Sequence, residues 1–216
     1  MKIFQRATHN KNWETDQAVL PLTSREENLV TIKNIRNFRY RTEFDYDVKY
    51  SNQVFDLNKI RSAIIGLVPF SKNPLILHAL MKFEFEDNAE IVFSIEIRRT
   101  KGQKFSSIKT VFPSYELMYV IADSQDVVEL RTEHRINEPV YFYNLSLSKT
   151  ETQNLFCDMC QRTNKIYQHP EFFTLFWNSC TSNLVDHINK NTHYKIPWLY
   201  KYLAPGLLFK YFKIKK

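Results

Sequence analysis

Glycine, cysteine and long apolar runs are all scarce in this chain. It has 3 Gly among 216 residues and contains neither a GxGxxG string nor a P-loop string, which excludes the Gly-rich loops that cradle nucleotide phosphates. Its 3 Cys cannot form an even framework, which argues against a disulfide scaffold. The sequence has no run of about 20 apolar residues of the kind that crosses a bilayer. The polar start MKIFQRATHNKNWE does not have the pattern of a signal peptide.

Aromatic side chains and positive charge are abundant instead. The 17 Phe and 12 Tyr, in a chain of this length, predict one domain with a substantial core. The net charge of +7 is spread along the chain, with one concentration at the end (Lys210, Lys213, Lys215 and Lys216). A solvated basic surface and a basic tail beside an anionic membrane both fit this charge. Nucleic acid is not expected as a partner, because no zinc-finger or RNP-type string is present.

No internal linker divides the chain, so we predict a single domain over residues 1–216. Within it, residues 1–28 form a polar extension, residues 29–195 the core, and residues 196–216 an aromatic and basic tail. The tail, IPWLYKYLAPGLLFKYFKIKK, either packs on the domain or contacts a membrane interface, where aromatic residues with cationic neighbours are favoured.

Hydrophobic periodicity predicts an α+β fold. The strongest signal is a hairpin formed by residues 75–85 and 89–99 around the turn sequence EDN. Residues 57–68 are predicted to be helical, because Leu57, Ile60, Ile64 and Leu67 have a helical period. The sequence also predicts a strand over 29–35, extended chain over 37–50, a strand or short helix over 114–122, a helix over 124–135, a strand over 139–147, and a helix over 148–168 with Ser148 and Glu151 as a capping box.

A CxxC pair, Cys157 and Cys160, falls inside the helix predicted for residues 148–168. No second Cys pair and no nearby HxxxH completes a zinc site. The pair is therefore interpreted as two helix residues with i,i+3 spacing, and no metal or cofactor is predicted.

Cys180 is the candidate nucleophile. It stands among Asn178, Ser179 and Thr181, which are N-cap residue types, just before an amphipathic stretch. A helix N-terminus offers unpaired N–H groups and partial positive charge, which help a thiol whose ordinary pKa is about 8.5 to act as a thiolate. The same N–H groups can hold the oxyanion of an acyl intermediate.

His78 is the candidate base and Glu96 the candidate group that orients it. Period two places both side chains on the same side of the predicted hairpin. Two structural interpretations stay open: Cys180 as a small buried hydrophobe, and His78 as an ordinary strand histidine. The competing histidines are His134, His169, His187 and His193.

Four strings of the chain together resemble the Lnb N-terminal periplasmic domain family, named for a bacterial lipoprotein N-acyltransferase. The strings are TIKNIRNFRYRTEFDYDVKY, LHALMKFEFEDNAEIVFSIEIRR, YELMYVIADSQDVVELRT and HPEFFTLFWNSCTSN. The resemblance runs from about Trp13 to Asn189. Departures from the family pattern are Ser179 in place of the Asn that directly precedes Cys, Ser182 in place of the second Thr, and Ser124 in place of a Glu.

The resemblance implies a permuted papain-like fold, similar to NlpC-type hydrolases and the lecithin–retinol acyltransferase group, in which His precedes Cys. It implies thiol-based acyl transfer with Cys180, His78 and Glu96 in the motif positions. Ser179, Asn178 and Tyr115 are the candidate substrate contacts. Arg36, Tyr115, Glu116 and Arg131 also fall in matched strings and are interpreted first as a structural polar network.

The leading hypothesis is therefore a cysteine acyltransferase or hydrolase that acts on the acyl groups of phospholipids or lipoproteins. Two alternatives remain: a cysteine peptidase or amidase acting on cell-wall peptides, and a non-catalytic envelope binding module. The resemblance implies a periplasmic or membrane-associated location, and the polar start of the chain leaves a cytoplasmic location open.

Overall fold

A computed structural model describes residues 6–69, 77–134, 139–202 and 205–214, and it has the predicted α+β character. The strands are β1 (Leu22–Glu26), β2 (Leu29–Arg36), β3 (Arg39–Thr42), β4 (Asp45–Asp47), β5 (Tyr50–Asp56), β6 (Ile60–Pro69), β7 (Leu77–Phe85), β8 (Glu90–Arg98), β9 (Tyr115–Ala122), β10 (Tyr141–Asn144) and β11 (Phe172–Phe173). The helices are α1 (Lys149–Gln168), α2 (Cys180–Asn191), α3 (Trp198–Tyr202) and α4 (Leu208–Ile214), with a π-helix at Gln125–His134 and 3-10 turns at Thr15–Gln17, Leu57–Lys59, Ile108–Val111 and Pro205–Leu207.

Within the described ranges, nine strands form one sheet in the order β1-β2-β9-β8-β7-β6-β10, with β5 also paired to β2 and β11 to β9. Each of the strands β6 to β9 is antiparallel to the next, and β2 meets β9 in parallel at Arg36 and Ala122. Every residue of β9 is buried, which is expected of a central strand covered on both faces.

Helices α1 and α2 cover one face of the sheet and form the main core with it. Strand β7 contributes alternate residues to this face, from Leu77 to Phe85, as period two requires. Phe156 of α1 lies at the centre, with ring centroids of Phe83, Phe85 and Phe93 at 5.0–5.8 Å in edge-on arrangements, a geometry that aromatic pairs favour.

A smaller apolar cluster covers the opposite face of the same strands. Its members are Leu20, Val68, Leu80, Val92, Met118, Val120, Ala122 and Val127. They come from the other side of β6 to β9, the π-helix and the N-terminal segment. The side chains of His78 and Ser94 belong to this face by alternation, and both are buried.

The prediction of a helix over residues 57–68 is wrong. After the 3-10 turn at Leu57–Lys59 the chain continues as β6, which pairs with β7 on one side and β10 on the other. The residues that face the main core are Ile60, Ala63, Ile65 and Leu67, all buried. This segment matches both periods in sequence, and the unpaired backbone groups of two neighbouring strands select the extended form.

The tail is helical in its described part. Leu208 and Phe212 of α4 are buried in the main core, whereas Trp198 and Leu199 of α3 are exposed. Among the described residues, we find no helix both long and apolar enough to cross a bilayer.

Candidate functional site

The centre of the site is the place where β7 and β8 stop pairing and separate, which we call the fork. The two strands pair from Glu84 opposite Glu90 up to Leu80 opposite Ser94, where the ladder ends. At the turn end of the hairpin the Phe85 N–H donates to the Ala89 carbonyl, 2.9 Å away, so the odd-numbered residues of β7 direct their main-chain groups toward β8. The carbonyl of Leu77 and the N–H of Ala79 therefore point into the fork.

The thiol of Cys180 occupies this fork. Its Sγ lies 3.9 Å from the Leu77 carbonyl oxygen, and the Ala79 N–H is near enough to lower the pKa of the thiol. Standard peptide dimensions then place Sγ within about 7 Å of the Cα of His78, the residue between these two contacts. The sulfur therefore lies beside the main-chain groups of β7 that face β8, and strand alternation puts the side chain of His78 on the face of the sheet away from α2.

The position of the thiol follows from a well-capped helix start. Cys180 is the first residue of α2 and Ser179 is its N-cap. The Ser182 N–H donates to Ser179 Oγ at 3.2 Å, and the Ser179 N–H donates to Ser182 Oγ at 2.7 Å. This reciprocal capping box fixes the first turn, so the thiol stands where helix N–H groups and the helix dipole act on it.

Burial raises the pKa of the Cys180 thiol above its ordinary value. The N–H of Ala79, together with the hydroxyl and N–H of Thr181, lowers that pKa, and the nearby Glu96 carboxylate raises it again. Burial is the largest of these effects and the net direction is upward. The thiol is therefore neutral at neutral pH and needs a base before it can act as a nucleophile.

A chain of hydrogen bonds leads from His78 to Glu96 through Ser94. His78 Nε2 is 2.8 Å from Ser94 Oγ, and Ser94 Oγ donates to Glu96 Oε1 at 2.7 Å. The direct distance between His78 Nε2 and Glu96 Oε1 is 4.0 Å. The structure thus places His78 and Glu96 on one side of the hairpin, as the strand period predicted, with a serine hydroxyl between them.

Glu96 is held as a carboxylate. Burial raises its pKa, but the charges of Arg131, His78 and Arg36 and the Ser94 hydroxyl together hold that pKa well below its usual range. The closest cation is Arg131, whose Nη2 donates to Glu96 Oε1 at 2.9 Å while its Nη1 donates to the Val127 carbonyl. Arg131 thus links the Glu96 carboxylate to the backbone of the π-helix.

The charge state of Glu96 fixes the tautomer of His78. A carboxylate only accepts hydrogen bonds, so the single proton of the Ser94 hydroxyl points to Glu96. Ser94 Oγ must then accept a proton from His78 Nε2. A neutral His78 ring consequently carries its acceptor lone pair on Nδ1, the ring nitrogen nearer to its own backbone.

The other candidate substrate contacts hold neighbouring loops. Asn178 Nδ2 donates to Glu171 Oε2 and to the Phe172 carbonyl, and Asn178 Oδ1 accepts from Asn183. The hydroxyl of Tyr115 donates to the Lys104 carbonyl and accepts the Ser106 N–H.

Two of the competing histidines are engaged elsewhere. His187 is bonded to Asp158 and Tyr119, and His193 to Glu151. His169 is the C-cap of α1, and the His134 side chain lies outside the described residues. Sequence reasoning missed Ser94 and the Ala79 N–H. Ser94 was detectable because it lies two residues before Glu96 on the same face of β8.

Cys157 and Cys160 lie on α1, one helical turn apart as predicted. Cys160 is buried, and the guanidinium of Arg25 lies 3.3 Å from the Cys157 sulfur. Among the described residues, no group of three or more His, Cys, Asp or Glu side chains is arranged to hold a metal ion.

The fold and the site define an α+β domain with a thiol at a helix start and a histidine on the strand beside it. The sequence profile of the Lnb N-terminal periplasmic domain matches residues 44–206. The chain belongs to this family, and the periplasmic character of the family points to an envelope location. No curated protein and no solved structure matches the chain.

Proposed function

We propose that this chain is a thiol-dependent acyltransferase or hydrolase of permuted papain-like type. In this proposal Cys180 is the nucleophile, His78 is the base, and Glu96 is a positioning residue that acts through Ser94. The observation that carries the proposal is the Cys180 sulfur at the N-terminus of α2, in the fork of the hairpin that delivers His78. His78 precedes Cys180 in the chain, which agrees with the permuted order.

The first half of the reaction forms a thioester. His78 Nδ1 takes the proton of the Cys180 thiol as Sγ attacks the carbonyl carbon of an acyl ester. The N–H groups at the start of α2 stabilise the oxyanion. The imidazolium then gives its proton to the departing alkoxide, which leaves as an alcohol, and the acyl group remains on Cys180.

The second half transfers the acyl group. A primary amine or a water molecule loses a proton to His78 and attacks the thioester carbonyl. The products are an amide or a carboxylic acid, and the Cys180 thiol is restored when the imidazolium returns the proton. Throughout, the Ser94–Glu96 pair holds the ring and stabilises its charged form. Phospholipid or lipoprotein acyl groups are the proposed substrates, and the bacterial envelope is the proposed location.

Mass spectrometry of the intact protein tests this proposal directly. After incubation with a phospholipid acyl donor, we expect one acyl adduct, located on Cys180 by peptide mapping and released by hydroxylamine. Cys180→Ala and His78→Ala should lose the adduct. Cys157→Ala, which removes the more exposed thiol of α1, is the matched control and should keep it. If Cys180→Ala were acylated as much as the wild type, Cys180 would not be the nucleophile.

The burial of the thiol favours a second candidate function, a binding module that keeps this scaffold without turnover. Cys180 is 8 % exposed, and its pKa is raised by burial. A non-catalytic module would give no adduct with any acyl donor, although the protein remained folded. A cysteine peptidase on the same centre would instead release free amines from peptide substrates.

A further inference from the structure

An exposed apolar surface lies next to the thiol and takes no part in the chemistry above. It consists of Phe105, Ile108, Val111 and Phe112 from the β8–β9 connection, and of Phe176 and Trp177 just before α2; we call it the loop surface. Ile108 is 75 % exposed, Trp177 72 % and Phe112 60 %. Single exposed apolar residues are ordinary, but several large ones on two neighbouring segments are typical of an interaction site.

A hydrogen bond joins the two segments of the loop surface. The Leu175 N–H donates to the Thr110 carbonyl at 2.8 Å. The buried Tyr115 holds the first segment through its bonds to Lys104 and Ser106, and its ring stacks on Phe105 with centroids 6.5 Å apart. These contacts fix the backbone of both segments. Their apolar side chains therefore stay exposed to solvent, although burying them would be favourable.

The loop surface lies at the forked end of the sheet. The β8–β9 connection leaves β8 after Arg98 and enters β9 at Tyr115, and β8 and β9 pair at this end. The thiol contacts Leu77, which begins β7 at the same end of the sheet. The second segment leads directly into Ser179 and Cys180.

The first segment of the loop surface carries charge of one sign, and one carboxylate from outside it, that of Glu14, accepts the Gly102 N–H at 2.9 Å. Residues 99–114 contain Arg99, Lys101, Lys104 and Lys109 and no Asp or Glu. The three lysines are exposed. Aromatic and aliphatic side chains interspersed with lysines are the composition that favours the interface of an anionic bilayer. Lysine is depleted at protein–protein interfaces, so the composition favours lipid over a protein partner.

We propose that the loop surface docks this domain on anionic phospholipid and so brings the Cys180 fork to the membrane. The proposal deepens the proposed function, because it names a lipid surface as the source of the acyl group. It differs from the tail contact considered from the sequence, since α4 packs its Leu208 and Phe212 into the core.

Vesicle sedimentation tests the docking. We expect the protein to bind vesicles of phosphatidylcholine and phosphatidylglycerol, with weaker binding to phosphatidylcholine alone. The double variant Ile108→Ser/Phe112→Ser should weaken binding by at least about tenfold. Replacing Lys101, Lys104 and Lys109 by Gln should weaken it several-fold at low salt, and high salt should remove that difference.

Phe44→Ser is the matched control, because Phe44 is an aromatic residue 88 % exposed in the β3–β4 hairpin. That hairpin follows β2, whose last residue lies beside Ala122 at the opposite end of β9 from the loop surface. Phe44→Ser should leave vesicle binding unchanged. Equal weakening by Phe44→Ser, absence of binding to both vesicle types, or a dimer that the loop variants dissociate would each overturn the proposal.

The same variants separate docking from catalysis. Cys180→Ala should bind vesicles like the wild type, and the loop variants should still be acylated by a soluble short-chain thioester. If Cys180 is never acylated but vesicle binding follows the pattern above, only the proposed function fails. If acylation from the soluble thioester occurs and docking is absent, only the membrane proposal fails.

Discussion

Replacing Glu96 by Gln tests the buried charge that orders the site. The substitution keeps the shape of the side chain and an oxygen that can accept from Arg131 and Ser94, but it removes the negative charge. Arg131 is 4 % exposed and would keep its positive charge in the interior. Glu96 itself is 22 % exposed, so its cost lies toward the low end of the about 3–5 kcal/mol of unfolding free energy that removing one partner of a fully buried ion pair costs. Because the amide preserves hydrogen bonds, we expect the lower part of this range, about 3 kcal/mol.

Thermal unfolding measures this loss. For a domain of this size the expected fall in Tm at neutral pH is about 6–12 °C, from about 2–4 °C per kcal/mol. The pKa of Glu96 is held below its unfolded value of about 4.3. Its contribution to stability is therefore complete above that pH and is lost as the pH falls toward the folded pKa. The difference in Tm between the wild type and Glu96→Gln should therefore become smaller as the pH is lowered into the acid range.

Glu90→Gln is the matched control, on the same strand and with the same chemical change. Glu90 is 40 % exposed and pairs with Lys82 at 3.2 Å, so its loss should cost less than about 1 kcal/mol. Equal Tm values for wild type and Glu96→Gln at neutral pH would refute the buried-pair reasoning. A Tm difference that stayed constant as the pH fell would refute the lowered pKa of Glu96.

Three further predictions concern the thiol, the relay and the packing. The alkylation rate of Cys180 by iodoacetamide, followed by mass spectrometry across pH, should rise with a midpoint above that of a free cysteine; a midpoint below it would mean a resting thiolate. Ser94→Ala should lower the acylation rate of Cys180 about tenfold or more, since a hydrogen bond to a charged group contributes about 1.5–3 kcal/mol; an unchanged rate would remove Ser94 from the relay. Gly66→Ala should destabilise the fold by about 1–3 kcal/mol in urea unfolding, because its Cβ would lie 2.5 Å from Cδ1 of the buried Leu80; unaltered stability would show that Leu80 can move away.

Features that depend on neighbouring residues were predictable from the sequence. The reciprocal capping box of Ser148 and Glu151 starts α1 as predicted. The hairpin of β7 and β8 also agrees with the strand alternation and its turn sequence. The N-cap residue types around Cys180 placed the start of α2 at that residue. Each of these signals is short-range, because a cap or a turn is satisfied within three or four residues of chain.

Features that depend on distant partners were not predictable in the same way. Residues 57–68 match a helical and a strand period, and pairing with β7 and β10 decides for the strand. The alternation of β7 and β8 put His78 and Glu96 on one side, but it did not reveal Ser94 as the group between them. Nor did it show that β7 and β8 separate beyond Leu80.

The sequence by itself determined that the thiol of residue 180 begins a helix and that the imidazole of residue 78 lies on a strand. Local hydrogen bonding and side-chain periodicity are sufficient for both. Only the tertiary structure decided that the helix start enters the fork between β7 and β8, about 100 residues away in sequence. The position of the helix start depends on how α2 packs its apolar side against the sheet. This packing is set by the contacts of the whole core and not by any short stretch of sequence.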